Sequence, residues 1–497
     1  MTAAVDFVCR HRTWLLGALA VVCFLDVAAI ALSYLVYPGY LDHGEPVVAL
    51  ISWRVLGGLP AYPSLESSDL TSNIYGPITY LTHALGYLLG GPGVASSKAA
   101  GIVAAASIPV IVFLTQRRCG FGWASTAVIL AAGFILLGLP TSVWNRPDPF
   151  LAFLVAVSVW AMRASSPRRP EWGKTVLIGL CGGLAVGFKV HAGVYFLPVV
   201  LLHCWERGFR TFSLISAVGA VVLAAPFAFD LFSLANLSEW FLVAAGKESE
   251  MVPAAKVFRY LIFYLTPIAF FLAALRCSGQ PLKKAEIAYF VVFVFSIFIV
   301  LIPAMKPGAG WYYFFPFFAI VIDIIVRFSA TVARNKGIVL GGVGVLAAAI
   351  LILSIPTQKR FLRALHWDEA RQITAEIAKI IAIYPGETIQ MGAGDSLVGY
   401  NKTLYKPLLA FAGYPYTFDV GLAIETSASG IALSKGVKAR LENCHTQIWL
   451  VPTGESPFEL TGYYGNHVFD DSFKAVFRSR YEKRESFTFF DVWACQR

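Results

Sequence analysis

The sequence predicts a polytopic α-helical membrane protein with a smaller α/β domain at its C-terminal end. Of its 497 residues, 57% are hydrophobic and only 14% are charged, whereas soluble proteins carry roughly a quarter charged residues. Many apolar stretches are about 18–25 residues long, which is the length at which a helix crosses ~30 Å of hydrocarbon. Beyond about residue 357 the chain turns polar, and this change predicts a domain outside the bilayer.

About eleven apolar stretches are the predicted transmembrane helices. The first is expected to be retained in the protein, because it is too long for the core of a signal peptide and has no small-residue cleavage site. The change from apolar to polar sequence near residue 357 predicts a membrane domain over residues 1–356 and a C-terminal domain over residues 357–497. The predicted spans cover roughly residues 13–36, 94–115, 122–140, 149–164, 174–188, 191–205, 211–229, 258–276, 286–303, 311–329 and 337–356.

The distribution of basic residues predicts the orientation of these spans. With a cytoplasmic N-terminus, the short cytoplasmic segments hold sixteen Lys and Arg residues, and the opposite loops hold eight without the tail. Membrane proteins concentrate positive residues on the cytoplasmic side, so the net charge of +10 indicates orientation and not a nucleic-acid partner. An odd number of spans then places the C-terminal domain outside. We expect a multi-pass protein of the plasma (inner) membrane, with a cytoplasmic N-terminus and a C-terminal domain in the periplasm.

The first outer loop, residues 37–93, is predicted to hold two juxtamembrane helices. Apolar residues recur at helical spacing from Val47 to Leu56, and Gly57 and Gly58 end the run. A second run extends from Ile78 to Leu89. Both are too short to span a bilayer, so we expect helices that lie at the membrane surface.

The polar tail has the pattern of an α/β domain. Isoleucines at helical spacing predict a helix that starts near Trp367, and "ETIQMG", "TQIWLVP" and "SFTFFDVWAC" predict strands. The segment "GAGDS" at 392–396 lacks the lysine of a phosphate-binding loop and is interpreted as a turn. Cys444 and Cys495 either form a disulfide, which an oxidising compartment would permit, or remain two buried thiols.

Ionisable and aromatic side chains recur where the predicted helices reach the outer surface. Carboxylates there offer a general base, and cations at headgroup depth offer ligands for a lipid phosphate. An aromatic ring such as that of Tyr75 suits the headgroup level. The candidate site residues are Asp42, His43, Glu45, Tyr75, Arg146, Asp148, Lys189, His191, Arg259 and Lys306.

The order of these features resembles the integral-membrane GT-C glycosyltransferases. Asp42 directly after the first span, the juxtamembrane helices, and Asp148 in the second outer loop carry the resemblance. More narrowly, the pattern is similar to the protein O-mannosyltransferase and aminoarabinose-transferase-like group, family 39. Such enzymes move a sugar, with inversion, from a polyprenyl-phosphate carrier to an acceptor on the extracytoplasmic side. The implied partners are a lipid-linked sugar donor, a glycan, lipid or protein acceptor, and membrane lipids.

The resemblance also implies roles for individual residues. Asp42 would be the base that deprotonates the acceptor hydroxyl, and Asp148 would position the acceptor or the sugar. Lys189 and Lys306 match basic residues of the family, and Lys306 would neutralise the leaving phosphate. Arg259 or Lys256 would assist. The other candidates, His43, Glu45, Tyr75, Arg146 and His191, would bind substrate.

One departure from the family concerns the residue after the first aspartate. Many relatives have an acidic residue there, whereas this chain has His43, and its nearest carboxylate is Glu45. Glu45 is expected about one helical turn from Asp42 and can still line the site. No cofactor is expected. A divalent cation held by Asp42, His43 and Glu45 is an alternative.

Each candidate also has a purely structural alternative. Asp42 and Asp148 can cap helices, and Lys306 can extend to the headgroups. Lys189 with His191 can stabilise a tight turn, and Arg146 can anchor to headgroups. Away from the outer surface, Asp323 and Arg327 lie one helical turn apart and predict an ion pair. The competing functions are a lipid or lipid-sugar transporter (flippase) and a non-catalytic envelope scaffold.

Overall fold

The structure is a computed structural model that describes residues 2–164, 172–245, 254–277, 281–306, 308–332 and 336–496. The chain divides into two compact units, each assembled from three separate segments. Unit 1 comprises residues 1–35, 101–225 and 249–364, and unit 2 comprises residues 36–100, 226–248 and 365–497. The first outer loop therefore belongs to the same unit as the C-terminal region.

In the described ranges up to residue 364, the main elements are α-helices. Their bounds are α1 (Thr2–Val36), α2 (Gly44–Leu56), α3 (Pro77–Gly90), α4 (Val94–Gln116), α5 (Phe121–Leu137), α6 (Asp148–Ala164), α7 (Trp172–Phe188), α8 (Leu197–Arg207), α9 (Phe209–Ala224), α10 (Leu234–Ala245), α11 (Ala254–Leu265), α12 (Pro267–Cys277), α13 (Lys284–Ala304), α14 (Phe318–Val332) and α15 (Lys336–Ala364).

The lengths and compositions of these helices confirm a polytopic α-helical membrane protein. Within the described ranges, six helical stretches are long and apolar enough to cross a bilayer: Thr13–Val36, Val94–Cys119, Phe209–Ala228, Lys284–Ala304, Trp311–Val332 and Gly342–Ile383. Four shorter apolar helices, such as Phe121–Leu137, accompany them. The number of eleven spans stays a prediction.

Glycines allow two helices of unit 1 to approach closely. A Cβ atom on Gly183 of α7 would lie 2.6 Å from the carbonyl oxygen of Gly219 on α9, and a Cβ on Gly179 would lie 2.9 Å from the carbonyl of Ile215. In a bilayer, association of helices depends on such close packing, because lipid is as apolar as the helix surface. The small residues of α7 therefore determine where α9 packs.

A buried ionic network joins helices at another part of unit 1. Arg163 of α6 contacts Asp323 of α14 at 2.7 Å and Glu286 of α13 at 2.7 Å. Arg327 pairs with Asp323 at 3.0 Å, which confirms the ion pair predicted from their spacing. Gln116 at the end of α4 donates a further hydrogen bond to Asp323 at 2.9 Å. The fully buried Asp323 carboxylate thus receives donors from three helices.

Unit 2 combines α2, α3 and α10 with the C-terminal elements. These are α16 (Trp367–Ile383), β1 (Ile389–Met391), α17 (Leu397–Lys402), α18 (Pro407–Phe411), α19 (Val420–Ala428), α20 (Lys435–Glu442), β2 (Ile448–Pro452), α21 (Asp471–Arg480), β3 (Tyr481–Ser486) and β4 (Phe490–Cys495). The strand order is β1-β2-β4-β3; β1 and β2 are parallel and the other pairs are antiparallel. Three of the strands and α16 fall in the stretches from which they were predicted.

The tail cysteines form a disulfide. Cys495 ends β4 and Cys444 follows α20, and their Cα atoms are 6.0 Å apart, which is within the usual range for a disulfide. Of the two alternatives for this pair, the structure therefore has the bridged one.

Helix α2 ends where the glycines predict, but its surroundings are those of a core helix. Its apolar residues Val48 and Ile51 are fully buried in the main hydrophobic cluster of unit 2. Tyr87 of α3 donates a hydrogen bond to the carbonyl of Ala49 at 3.0 Å. Arg54, which is also buried, pairs with Asp69 at 3.1 Å. The apolar face predicted to lie at the membrane surface is thus used for packing within the unit.

Candidate functional site

Asp42 lies in the turn that precedes α2, in unit 2. Its Oδ1 accepts a hydrogen bond from the backbone N–H of Gly44 at 2.9 Å, the i to i+2 pattern of an Asx-turn. Its side chain is 22% exposed, and Oδ2 lies 3.8 Å from Nδ1 of His43. The carboxylate is therefore oriented by the backbone through one oxygen and accessible from solvent, as a proton acceptor must be.

Glu45 stabilises this turn through hydrogen bonds to its backbone. Its side chain is fully buried, and Oε2 accepts hydrogen bonds from the backbone N–H groups of Leu41 at 2.9 Å and Asp42 at 3.0 Å. Two backbone donors of the turn are thereby satisfied by one carboxylate oxygen, as in the reciprocal bonds of a helix N-terminus. This geometry makes Glu45 a residue that positions Asp42.

Lys98 is a residue of this region that the sequence analysis did not select. It is fully buried near the start of α4, and its Nζ donates a hydrogen bond to the carbonyl of Tyr37 at 2.8 Å and another to that of Gly39. The ammonium interacts electrostatically with the Glu45 carboxylate and lies 5.3 Å from the ring of Tyr40. A lysine four residues into an apolar helix was the available signal, since such a charge is costly without partners.

Replacing Lys98 by Met is expected to destabilise the protein by about 3 kcal/mol, because two carbonyls lose a charged donor and the buried Glu45 carboxylate loses a nearby positive charge. The measurement is the free energy of unfolding of the purified protein in detergent. Lys435→Met is the control, since Lys435 is exposed on α20 and its loss should cost less than about 0.5 kcal/mol. Equal stability of the two variants would contradict a supporting role for Lys98.

Asp148 and Lys189 form a buried ion pair in unit 1. Nζ of Lys189 lies 2.7 Å from Oδ1 of Asp148, and the indole Nε1 of Trp144 donates to Oδ2 at 3.1 Å. The relative exposure of the two charged residues is 1% for Asp148 and 6% for Lys189. The pair links the first turn of α6 to the residue that follows α7. The sequence selected both residues, but not their contact.

Aromatic rings surround this pair. Arg146 lies 3.9 Å from the centroid of the Trp144 ring and 5.5 Å from that of Tyr312. Nζ of Lys189 is 5.4 Å from the centroid of Tyr312 and 5.2 Å from that of Tyr313. Cations over ring faces are stabilised by the ring quadrupole. One guanidinium group, that of Arg146, and one ammonium group, that of Lys189, are thus held at fixed positions in a largely desolvated environment.

His191 belongs to the same aromatic cluster. Its ring stacks on Tyr313 with centroids 4.8 Å apart and an interplanar angle of 18°. The hydroxyl of Tyr195 donates to the carbonyl of Tyr313 at 2.8 Å and thereby holds the segment that precedes α14. Tyr312 and Tyr313 were missed as site residues, because adjacent aromatics in an apolar stretch are more often core residues.

Three further candidates lie elsewhere or outside the described positions. Lys306 follows α13 and is exposed, and within the described segments its side chain has no hydrogen bond or ion pair. Tyr75 is buried in the hydrophobic cluster of unit 2, where its carbonyl accepts a hydrogen bond from Tyr62 at 2.8 Å. The side chain of Arg259, on α11, lies outside the described residues. The substrate-binding roles of these three residues stay predictions.

The side chains around Asp42 and those around the Asp148–Lys189 pair can take part in different chemical steps. In unit 2, the accessible carboxylate of Asp42 can accept a proton. In unit 1, Lys189 and Arg146 offer charged donors of the kind that bind phosphate oxygens, while Asp148 orients Lys189. In the described part of the chain, no group of three or more His, Cys, Asp and Glu side chains is placed to hold a metal ion.

Comparisons with known proteins identify the fold. No family model matches the sequence, and no curated protein matches it. The structure matches ArnT from Cupriavidus metallidurans bound to undecaprenyl phosphate, with a TM-score of 0.56, 15% identity, and coverage of 95% of this chain and 97% of ArnT. It also matches the Archaeoglobus fulgidus oligosaccharyltransferase in complex with Zn and sulfate, with a TM-score of 0.50, 12% identity, and coverage of 95% and 73%. The chain therefore has the fold of the integral-membrane GT-C glycosyltransferases, as its sequence predicts.

Proposed function

We propose that this protein is a glycosyltransferase that moves a monosaccharide from a polyprenyl-phosphate carrier to an envelope acceptor. The observation that carries the proposal is the similarity of fold over nearly the whole length of both chains to ArnT, whose structure contains undecaprenyl phosphate. The accessible Asp42 carboxylate and the desolvated cations Arg146 and Lys189 supply the side-chain chemistry that such a reaction needs.

The proposed reaction is a single displacement. Asp42 accepts the proton of the acceptor hydroxyl as its oxygen attacks the anomeric carbon of the donor sugar. The bond between that carbon and the phosphate oxygen breaks, and the lipid phosphate leaves with the electron pair. Because attack comes from the face opposite the leaving group, the configuration at the anomeric carbon inverts. Glu45 and Lys98 serve by holding the turn that carries Asp42.

The leaving phosphate requires positive charge that is already in place. Lys189 and Arg146 are held by Asp148 and by aromatic rings, so little reorganisation is needed when charge develops on the phosphate. Fixed donors in a desolvated site contribute most to such stabilisation. The exposed Lys306 is proposed to contact the same phosphate from the lipid headgroup side.

The proposed location of the reaction is the extracytoplasmic side of the plasma membrane. The disulfide between Cys444 and Cys495 supports this location, because disulfides persist in oxidising compartments and are rare in the cytosol. The excess of basic residues in the opposite loops agrees with the same orientation.

The test is an accumulation experiment in a strain from which the gene is deleted. Mass spectrometry of envelope glycans and of polyprenyl-phosphate sugars should find one sugar residue lost from the envelope, with its lipid-linked donor retained or increased. Complementation with the wild-type gene should reverse both changes. If the protein were a flippase, its deletion would instead leave the lipid-linked sugar on the cytoplasmic face of the membrane. If it were a scaffold, the Asp42→Asn variant would restore the lost sugar residue as well as the wild-type gene does. Unchanged glycan and donor pools in cells that normally make the protein would refute the transferase.

A further inference from the structure

A hairpin of the C-terminal region lies beside the Asp42 turn within unit 2. It spans residues 461–467 and is closed by pairing of Thr461 with His467 and by a hydrogen bond from the N–H of Gly462 to the carbonyl of Asn466 at 2.9 Å. Gly465, at a φ of +79°, supplies the left-handed conformation of the turn. Tyr463 is one of the side chains exposed near its tip, together with Asn466.

This hairpin is held firmly against α19. The hydroxyl of Ser427 donates to the carbonyl of His467 at 2.9 Å, and that of Tyr464 donates to Glu425 at 3.3 Å. Gly462 packs so closely that a Cβ atom would lie 2.8 Å from the side chain of Ile424. The position of Tyr463 is therefore determined by packing of its neighbours.

Tyr463 extends the surface around Asp42. Its ring centroid is 5.3 Å from that of His43, and the fully buried Tyr400 packs edge-on against it at 5.9 Å. Burial, together with the negative charge of Asp42, raises the pKa of the Tyr463 hydroxyl above its usual value, so the phenol stays neutral. The side chain nevertheless remains 43% exposed. A partly exposed aromatic ring thus lies next to His43 and near the accessible carboxylate.

We propose that Tyr463 is the recognition residue for the acceptor, and that the acceptor hydroxyl is carried by a sugar ring. The inference rests on the proposed function, in which Asp42 contacts that hydroxyl. A sugar ring has an apolar face of C–H groups that matches an aromatic ring, and hydroxyl groups at its edge that suit the phenol and the imidazole of His43. A serine or threonine acceptor has no comparable face to cover the ring. Acceptor choice is thus made by the C-terminal region.

The test compares Tyr463 variants in a membrane assay. The donor is the polyprenyl-phosphate sugar extracted from the deletion strain and added at a fixed, saturating concentration. Membrane vesicles of that strain, titrated by amount, supply the acceptor. Tyr463→Ala should raise the vesicle amount that gives half-maximal rate by about tenfold, with the maximal rate within about threefold of wild type. Tyr463→Phe and Tyr463→Trp keep an aromatic face and should stay within about threefold. Tyr414→Ala is the control for loss of a tyrosine elsewhere in unit 2.

The product identifies the class of acceptor. Linkage analysis by mass spectrometry should find the added residue attached to another sugar. Attachment to a protein hydroxyl, or a Tyr463→Ala titration equal to that of the Tyr414→Ala control, would overturn the inference. In the same assay Asp42→Asn separates the two proposals: if this variant abolishes transfer while Tyr463→Ala acts as wild type, only the role of Tyr463 fails. If Asp42→Asn and gene deletion both leave the product unchanged, the transferase itself fails.

Discussion

Replacing Asp42 by Asn is expected to reduce sugar transfer by about three orders of magnitude without lowering the amount of protein in the membrane. A general base contributes about 10²–10⁴ to a rate, and an amide cannot accept the proton. The amide oxygen of Asn can still accept the hydrogen bond that Asp42 accepts from Gly44. The variant therefore removes basicity and keeps the structural role that a capping aspartate would have. The measurement is the initial rate of transfer into membrane vesicles, normalised to protein content.

Asp368→Asn is the matched control for this experiment. Asp368 lies in the first turn of α16, also in unit 2, and its side chain is 91% exposed, so its replacement should leave the rate within about twofold of wild type. Asp42→Ala adds a further distinction, because it removes the Asx-turn hydrogen bond as well as the base. If Asp42→Asn transferred sugar at the wild-type rate, Asp42 would be only a turn residue.

Replacing Lys189 by Met should both destabilise the protein and stop transfer. The change leaves the buried Asp148 carboxylate without the ammonium that lies 2.7 Å away, and breaking a buried pair from one side costs about 3–5 kcal/mol. Loss of the cation also removes a donor for the leaving phosphate, for which we expect a decrease of about 10²–10³ in rate. The free energy of unfolding in detergent and the initial rate are measured on the same preparations.

The double variant Asp148→Asn, Lys189→Met separates these two effects. It removes both charges, so no buried carboxylate is left unpaired, and most of the lost stability should return. The rate should stay low, because the phosphate still lacks its cation. Lys284→Met, at an exposed position at the start of α13, serves as the control. Recovery of transfer in the double variant would show that the pair is structural only.

The elements of the C-terminal region illustrate what local pattern can predict. Strands β1, β2 and β4 are rich in buried apolar residues and were found from the sequence. Strand β3, "YEKRES", was not, because only Tyr481 of its residues is buried. A strand whose side chains are mostly exposed derives its conformation from pairing with its neighbour, and its own residues carry little hydrophobic signal.

The first outer loop illustrates the opposite limit. Helix α2 was predicted with its end, because helical spacing and terminating glycines are local features. Its burial was not predicted, since periodicity detects an apolar face but not the elements that cover it. The same holds for Glu45, which was expected to bind substrate and whose carboxylate binds the backbone N–H groups of the Asp42 turn. It holds also for Lys98, which was counted among the basic residues of the outer loops but was given no role in the site.

The sequence by itself determined that the chain crosses the membrane many times, and it predicts that charged residues gather at the outer ends of its helices. Both properties depend on the composition of continuous stretches, because the hydrophobicity, length and flanking charges of each segment determine whether and how it inserts into the bilayer. Only the tertiary structure decided that Lys189 pairs with Asp148, that Lys98 binds carbonyls of the segment before Asp42, and that Tyr463 lies beside His43. These contacts join residues far apart in the chain, and such pairs form because packing brings their helices and loops together.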